Sequence, residues 1–176
     1  GSAGREVRQV GRGENYPPLS GQSFRSEAVI PAYHAAYVVD ASVAVKWFIK
    51  EREDDREAAF ALRRRHIEGQ SRMIVPELFL LEVPNAIKAS KRASEDELSK
   101  VITTLHDLDL QIERHSWDVL RKANAIAWAY NLTWYDGVYV ALAEVLGYPL
   151  VTADEALMRQ MRGHSILVRL KDLAFV

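Results

Sequence analysis

The sequence predicts a three-layer α/β fold, with a central parallel sheet of four to five short strands flanked by helices. Three observations lead there. Short β-branched runs such as Tyr37-Val38-Val39 and Met73-Ile74-Val75 alternate with longer amphipathic stretches, the pattern of a parallel sheet covered on both faces. Helix-start and helix-stop signals fall between the runs, including the capping box Ser94-Glu95-Asp96-Glu97 and a glycine, Gly147, at the end of an apolar stretch. The 176 residues are 48% hydrophobic and 27% charged, the balance of a globular domain and not of a disordered or fibrous chain.

Residues 1–36 hold five of the nine glycines and three of the six prolines. They carry no sustained period of 2 or 3.6, and read as an N-terminal extension, a linker or a cloning-derived leader. The domain is assigned to 37–176. Its first strand is Tyr37-Val38-Val39, followed by helices over 42–50 and 53–68. Met73-Ile74-Val75 is the second strand, and Pro76 suits the first turn of a helix over 77–91. The capping box opens a helix to about His106, then Leu110–Glu113 is a strand. Helices over 116–130 and 133–147 follow, then a strand over 149–152, a short helix from Asp154 and a last strand over 166–168.

Several chemistries are excluded at once. Without cysteine there is no disulfide, thiolate nucleophile or cysteine-held cluster, and the five histidines lack zinc-ligand spacing. No apolar run is long enough for a membrane-spanning helix, so no membrane is expected. With no signal pattern at the N-terminus, the cytoplasm is the expected location. The net charge of −1 gives no global attraction for nucleic acid, although a local basic patch would be hidden in that sum.

Four carboxylates stand out because ligands of an open parallel sheet collect beyond the carboxyl ends of its strands. Asp40 ends the first strand, where an N-cap alone would also explain it. Asp154 follows Thr152, which with Glu155 reads as a capping box. Asp136 lies in a nearly apolar run, where Thr133 offers a cap as the ordinary explanation. Glu82 sits among Leu78, Phe79, Leu80, Leu81 and Val83 with no cap nearby, so it is either on a narrow polar face or buried and in need of a partner. Asn85 shares its helical face. Four carboxylates gathered together would raise one another's pKa values, and a hard divalent cation, Mg²⁺ or Mn²⁺, removes that penalty. Such ions on carboxylates serve phosphoryl chemistry.

Val38-Val39-Asp40-Ala41-Ser42 and the run Pro76 to Ile87 resemble the opening half of a PIN-domain nuclease. Tyr135-Asp136-Gly137-Val138-Tyr139-Val140-Ala141-Leu142-Ala143 and Leu150-Val151-Thr152-Ala153-Asp154 resemble its closing half. The nearest subgroup is the VapC toxin type. The resemblance implies a metal-dependent endoribonuclease acting on RNA, restrained by a VapB-like antitoxin and usually homodimeric. It also implies metal-binding roles for Asp40, Glu82, Asp136 and Asp154, with Ser42, Asn85 and Thr152 in support. Two positions depart from the family pattern. Pro84 stands two residues after Glu82 inside a helix, at ~3 kcal/mol, and is expected to kink it and re-aim Glu82. Gly137 replaces the more usual alanine, at ~1 kcal/mol of helix propensity.

Lys88, Lys91 and Arg92 continue the Glu82 helix and are the expected RNA contacts. Trp47, Phe48, Trp134 and Tyr135 are assigned to a dimer core, with base stacking as the other use. An apolar groove for the antitoxin is expected within 42–68. A catalytically silent binding protein for RNA or a protein partner is the alternative reading. A haloacid-type phosphatase is set aside because Ser42 stands where it needs a second aspartate.

Overall fold

Val38 and Val39 are completely buried, which places β1 (Ala35–Val39) at the middle of the sheet. The structure is a computed structural model that describes residues 35–49, 55–90 and 93–173. These lie in the compact unit Pro31–Val176, and most of the expected extension falls outside them. In chain order the elements are β1, α1 (Ala41–Phe48), α2 (Arg56–Ile67), β2 (Ser71–Pro76), α3 (Phe79–Ala89) and α4 (Glu95–Asp107). Then come β3 (Gln111–Glu113), α5 (Trp117–Tyr130), α6 (Trp134–Leu146), β4 (Leu150–Thr152), α7 (Glu155–Gln160) and β5 (Leu167–Arg169).

The strands run in the order β3-β2-β1-β4-β5, every pair parallel, as the alternating pattern predicts. Boundaries shift modestly. β1 starts two residues before the expected strand, and Pro76 closes β2 instead of opening a helix. Pro76 pairs in register with Glu113 on β3, a place where a missing N–H is tolerated. The capping box forms in full, Ser94 N donating to Glu97 Oε2 at 2.7 Å and Glu97 N donating to Ser94 Oγ at 3.3 Å. No such box forms at Thr152, which belongs to β4; Asp154 itself caps α7.

α6 is the central helix, buried without a break from Gly137 to Ala143 and packed on β1, β2 and β4. Its closest helical neighbour is α5. At Gly137 an added Cβ would stand 2.8 Å from the Ala123 carbonyl oxygen and 3.2 Å from Ala127 Cβ. The glycine that costs helix propensity is therefore what lets the two helices approach. On the other side of the sheet, α1 packs on α2, α3 and β4. Trp47 belongs to this core, its indole N–H donating to the Ala59 carbonyl at 3.0 Å. α3 runs through Pro84 to Ala89 without interruption.

Candidate active site

The chain leaves β1 toward β2 on one side and returns through β4 on the other, so the sheet reverses its order between β1 and β4. That switch point opens a crevice beyond the carboxyl ends of the two strands. Asp40 follows β1 directly, with its backbone N–H on Val151 of β4 at 3.0 Å. It occupies the N-cap position of α1, yet its side chain makes no capping bond. Instead Oδ2 accepts from Ser42 Oγ and from Thr152 Oγ1, each at 2.6 Å. Both hydroxyls are oriented from behind: Ser42 Oγ accepts from Ala153 N at 3.0 Å, and Thr152 Oγ1 from Asp154 N at 2.9 Å. The β1–α1 and β4–α7 corners are thus stitched together around one buried carboxylate.

The other three acids arrive from helices. Glu82, half-buried on α3, takes a hydrogen bond at 2.6 Å from Tyr139 Oη, a residue of α6 that is almost wholly buried. Asp136, in the first turn of α6, accepts at Oδ2 from Thr133 Oγ1 at 2.6 Å, while its N–H donates to the same hydroxyl at 3.1 Å. Asp154 caps α7, Oδ1 accepting from Ala156 N at 2.6 Å and Leu157 N at 3.2 Å. The capping explanation therefore holds for Asp136 and Asp154 and fails for Asp40. It does not compete with a site, because all four acids line one cleft of about 450 Å³ together with Ser42, Lys46, Asn85 and Tyr135.

The electrostatics are those of crowded acids. Burial holds the Asp40 carboxyl above the usual carboxylate range, its two hydroxyl donors pull the other way, and the charges of Asp136 and Asp154 push it up further. Glu82 is raised by burial, opposed by the Tyr139 bond and reinforced by Asp40 and Asp136. Asp136 is raised by burial and, against the pull of Thr133, by Asp154. Tyr139 is pushed far above its ordinary value by burial and by the charges of Asp40 and Glu82, so it stays a donor.

A hard cation fits this donor set, which is all oxygen and mutually repelling. Among the described residues no three of these groups stand close enough to ligate one ion directly. Mg²⁺ ordinarily keeps several of its waters and uses one or two carboxylates, so a cleft with acids on all sides suits it without a closed cage.

The remaining expectations divide. Asn85 lines the cleft, but the donor to Glu82 is Tyr139. Pro84 does not turn Glu82 away from the cleft. Lys88 is exposed on α3 and is not among the lining residues, while Lys91 and Arg92 lie outside the described residues. Of the four aromatics expected in a dimer core, Trp47 is buried and Phe48 partly so within the chain itself, while Trp134 and Tyr135 are 45% and 55% exposed. Their place in the first turn of α6, ahead of its buried stretch, is the reason. Sequence reasoning missed Tyr139 and Lys46. Tyr139 had a signal: it lies one turn after Asp136, the one hydroxyl-bearing side chain in an aliphatic run.

Residues 37–163 match the family model of the PIN domain. Ribonuclease VapC3 of Pyrobaculum aerophilum is 32% identical over 124 residues, a match covering 68% of this chain and 90% of that protein. Among solved structures, PAE2754 from Pyrobaculum aerophilum superposes with a TM-score of 0.56 at 21% identity, over 78% of this chain and 90% of the other. A toxin–antitoxin complex from Klebsiella pneumoniae gives a TM-score of 0.54 at 16% identity, over 78% of this chain and 99% of that one. At those identities the two structures speak for the fold, and the family model speaks for the lineage.

Proposed function

Because this chain belongs to the PIN domain family, we propose that it is a VapC-type endoribonuclease that hydrolyses RNA phosphodiesters with Mg²⁺ or Mn²⁺ in its cleft. The carrying observation is the convergence of Asp40, Glu82, Asp136 and Asp154 on one cleft at the switch point of the sheet. The likeness to VapC3, named a ribonuclease, supports the same reading.

Asp40 and Asp136 would be the main cation ligands, with Glu82 and Asp154 completing the set through water. When bound, the cation supplies a more acidic water and offsets charge on the phosphate and the departing oxygen. The chain's own residues do the rest. Ser42 and Thr152 both engage Oδ2 of Asp40, a residue that lines the cleft. Tyr139 and Thr133 each engage one oxygen of Glu82 and Asp136, which leaves the second oxygen of each for water or cation. The carboxylates that line the cleft are the groups at hand to take the proton released by the attacking water. Attack forms a bond from water oxygen to phosphorus and breaks the bond to the 3′-oxygen, leaving a 5′-phosphate, the polarity that the family resemblance implies.

The same resemblance adds a VapB-like antitoxin and a homodimer, and the likeness to a toxin–antitoxin complex supports the first of these. The experiment is cleavage of single-stranded RNA by highly purified protein. Activity is expected to vanish in EDTA, return with Mg²⁺ or Mn²⁺, and vanish in Asp40→Asn and Asp136→Asn while circular dichroism stays unchanged. Metal-independent cleavage, or wild-type rates in Asp136→Asn, would overturn the reading.

A further inference from the structure

An RNA strand approaching this cleft meets four carboxylates and, among the described lining residues, one cation, Lys46. Apart from a bound cation, phosphate attraction is a poor source of affinity there, since the acids repel each backbone charge. The cleft wall offers something else. Tyr135 is 55% exposed, lines the cleft and directly precedes Asp136. It stands on α6, a helix otherwise buried continuously from Gly137 to Ala143, so its backbone is anchored while its ring faces solvent. Trp134 beside it is 45% exposed. Trp117 and Trp128 are more exposed still, at 76% and 82%, but they lie on α5 and do not line the cleft.

We propose that Tyr135 is a base-stacking platform, its ring taking the face of an unpaired nucleobase of single-stranded RNA whose neighbouring phosphate enters the acid cleft. This inference rests on the ribonuclease reading and narrows its substrate to unpaired RNA. An aromatic face accepts any base, because every base has a π-face, and the stacking contact does not draw on the backbone charge. A base in a duplex is already stacked on both sides, so the platform selects against paired RNA. The hydroxyl plays no part, because the contact uses the ring.

The test is equilibrium binding of a fluorescein-labelled single-stranded RNA, with Ca²⁺ in place of the catalytic ion so that affinity is measured apart from cleavage. Tyr135→Ala is expected to weaken binding about tenfold, within the range reported for loss of one stacked base, and Tyr135→Phe to bind like wild type. An RNA carrying one abasic nucleotide is then scanned through the strand. At one position the missing base should weaken wild type and Tyr135→Phe but cost Tyr135→Ala nothing more, since ring and base are lost together. A fully paired duplex should compete poorly. The proposal is overturned if Tyr135→Ala binds as wild type does, if the abasic penalty is the same with and without the ring, or if Tyr135→Ala shifts the oligomeric state by light scattering, which would make the ring a contact between copies. Cleavage without a ring effect sinks this inference alone. Ring-dependent binding without metal-dependent cleavage sinks the nuclease reading alone.

Discussion

On the sheet-borne wall of the cleft, Asp40 is buried and draws two hydroxyl donors from residues 2 and 112 positions away, each donor itself held by a backbone N–H. On the helix-borne wall, Glu82 and Asp136 are half-buried, and each takes a single side-chain donor, Tyr139 or Thr133. The first wall is locked by strand pairing, and its carboxylate cannot move without breaking the β1–β4 corner. The second depends on how α3 and α6 are packed, and its acids retain an open oxygen each. A rigid anchor facing adjustable ligands is a workable arrangement for an ion whose coordination shell is completed by water and a passing phosphate.

The largest effect should come from loosening the rigid wall. Thr152→Val keeps the shape but removes one donor from Asp40 and the acceptor of Asp154 N. Each buried group left unsatisfied costs about 1–3 kcal/mol, read by urea denaturation. Misplacing Asp40 by even ~1 Å should lower single-turnover cleavage on the order of 10²-fold. If Thr152→Val cleaves normally, the two walls are not different in kind.

Gly137→Ala tests the second wall through its packing. Alanine would gain up to ~1 kcal/mol of helix propensity, but its Cβ at 2.8 Å from a backbone oxygen should force α6 from α5 at a cost of about 1–3 kcal/mol. Because α6 carries Asp136 and Tyr139, cleavage should fall along with stability. A stabilised, fully active Gly137→Ala would show that the helix wall tolerates displacement.

The walls also differ in how legible they were in the sequence. The strand end at Asp40, Ser42 two residues on and Thr152 before Asp154 are local patterns, and the alternation of short and long apolar runs was enough to predict a parallel sheet. Glu82 could be flagged as a carboxylate among leucines, but its donor is 57 positions away on another helix, and one chain read alone does not pair them. The propensity cost of Gly137 was legible and its compensation was not, since the Ala123 carbonyl that requires a glycine is set by helix packing. Trp134 and Tyr135 stay exposed in the single chain because they precede the buried stretch of α6, and one apolar run does not show where that burial begins.

Tyr139→Phe removes one bond to a half-exposed carboxylate that water can partly replace, so stability should drop by only about 1 kcal/mol. The sharper readout is the midpoint for Mg²⁺, which should rise several-fold by calorimetric titration if Tyr139 positions Glu82, about threefold corresponding to under 1 kcal/mol. An unchanged midpoint would make Tyr139 a packing residue.

Smaller again is the effect of pH on the metal-free protein. Asp40, Glu82 and Asp136 are all raised in the folded state, so the fold binds their protons before the unfolded chain does. Their contribution to stability should therefore rise as pH falls through the raised values and be complete below the ordinary carboxylate range. Lowering pH toward the ordinary carboxylate range should raise the melting temperature slightly without metal, and the stabilisation by added Mg²⁺ should be greater at the higher pH. An equal Mg²⁺ effect at both ends would mean that the acids do not share the ion.

Pro84→Ala should have the smallest effect on catalysis and is the sharpest test of how the helix wall is aimed. Proline at this position withholds the N–H that the Leu80 carbonyl would receive, yet α3 continues through it and Glu82 still lines the cleft. If Glu82 is held from across the cleft by Tyr139, then restoring the backbone donor should raise stability by at most ~3 kcal/mol and leave kcat and KM within about twofold of wild type. If instead the proline sets the direction of the side chain, Pro84→Ala should lower cleavage and make the Tyr139→Phe change silent, because Glu82 would no longer reach the hydroxyl. Measuring both single variants and the pair separates the two. Independence of the two changes assigns the aim of Glu82 to Tyr139, and strong coupling assigns it to the local bend of α3.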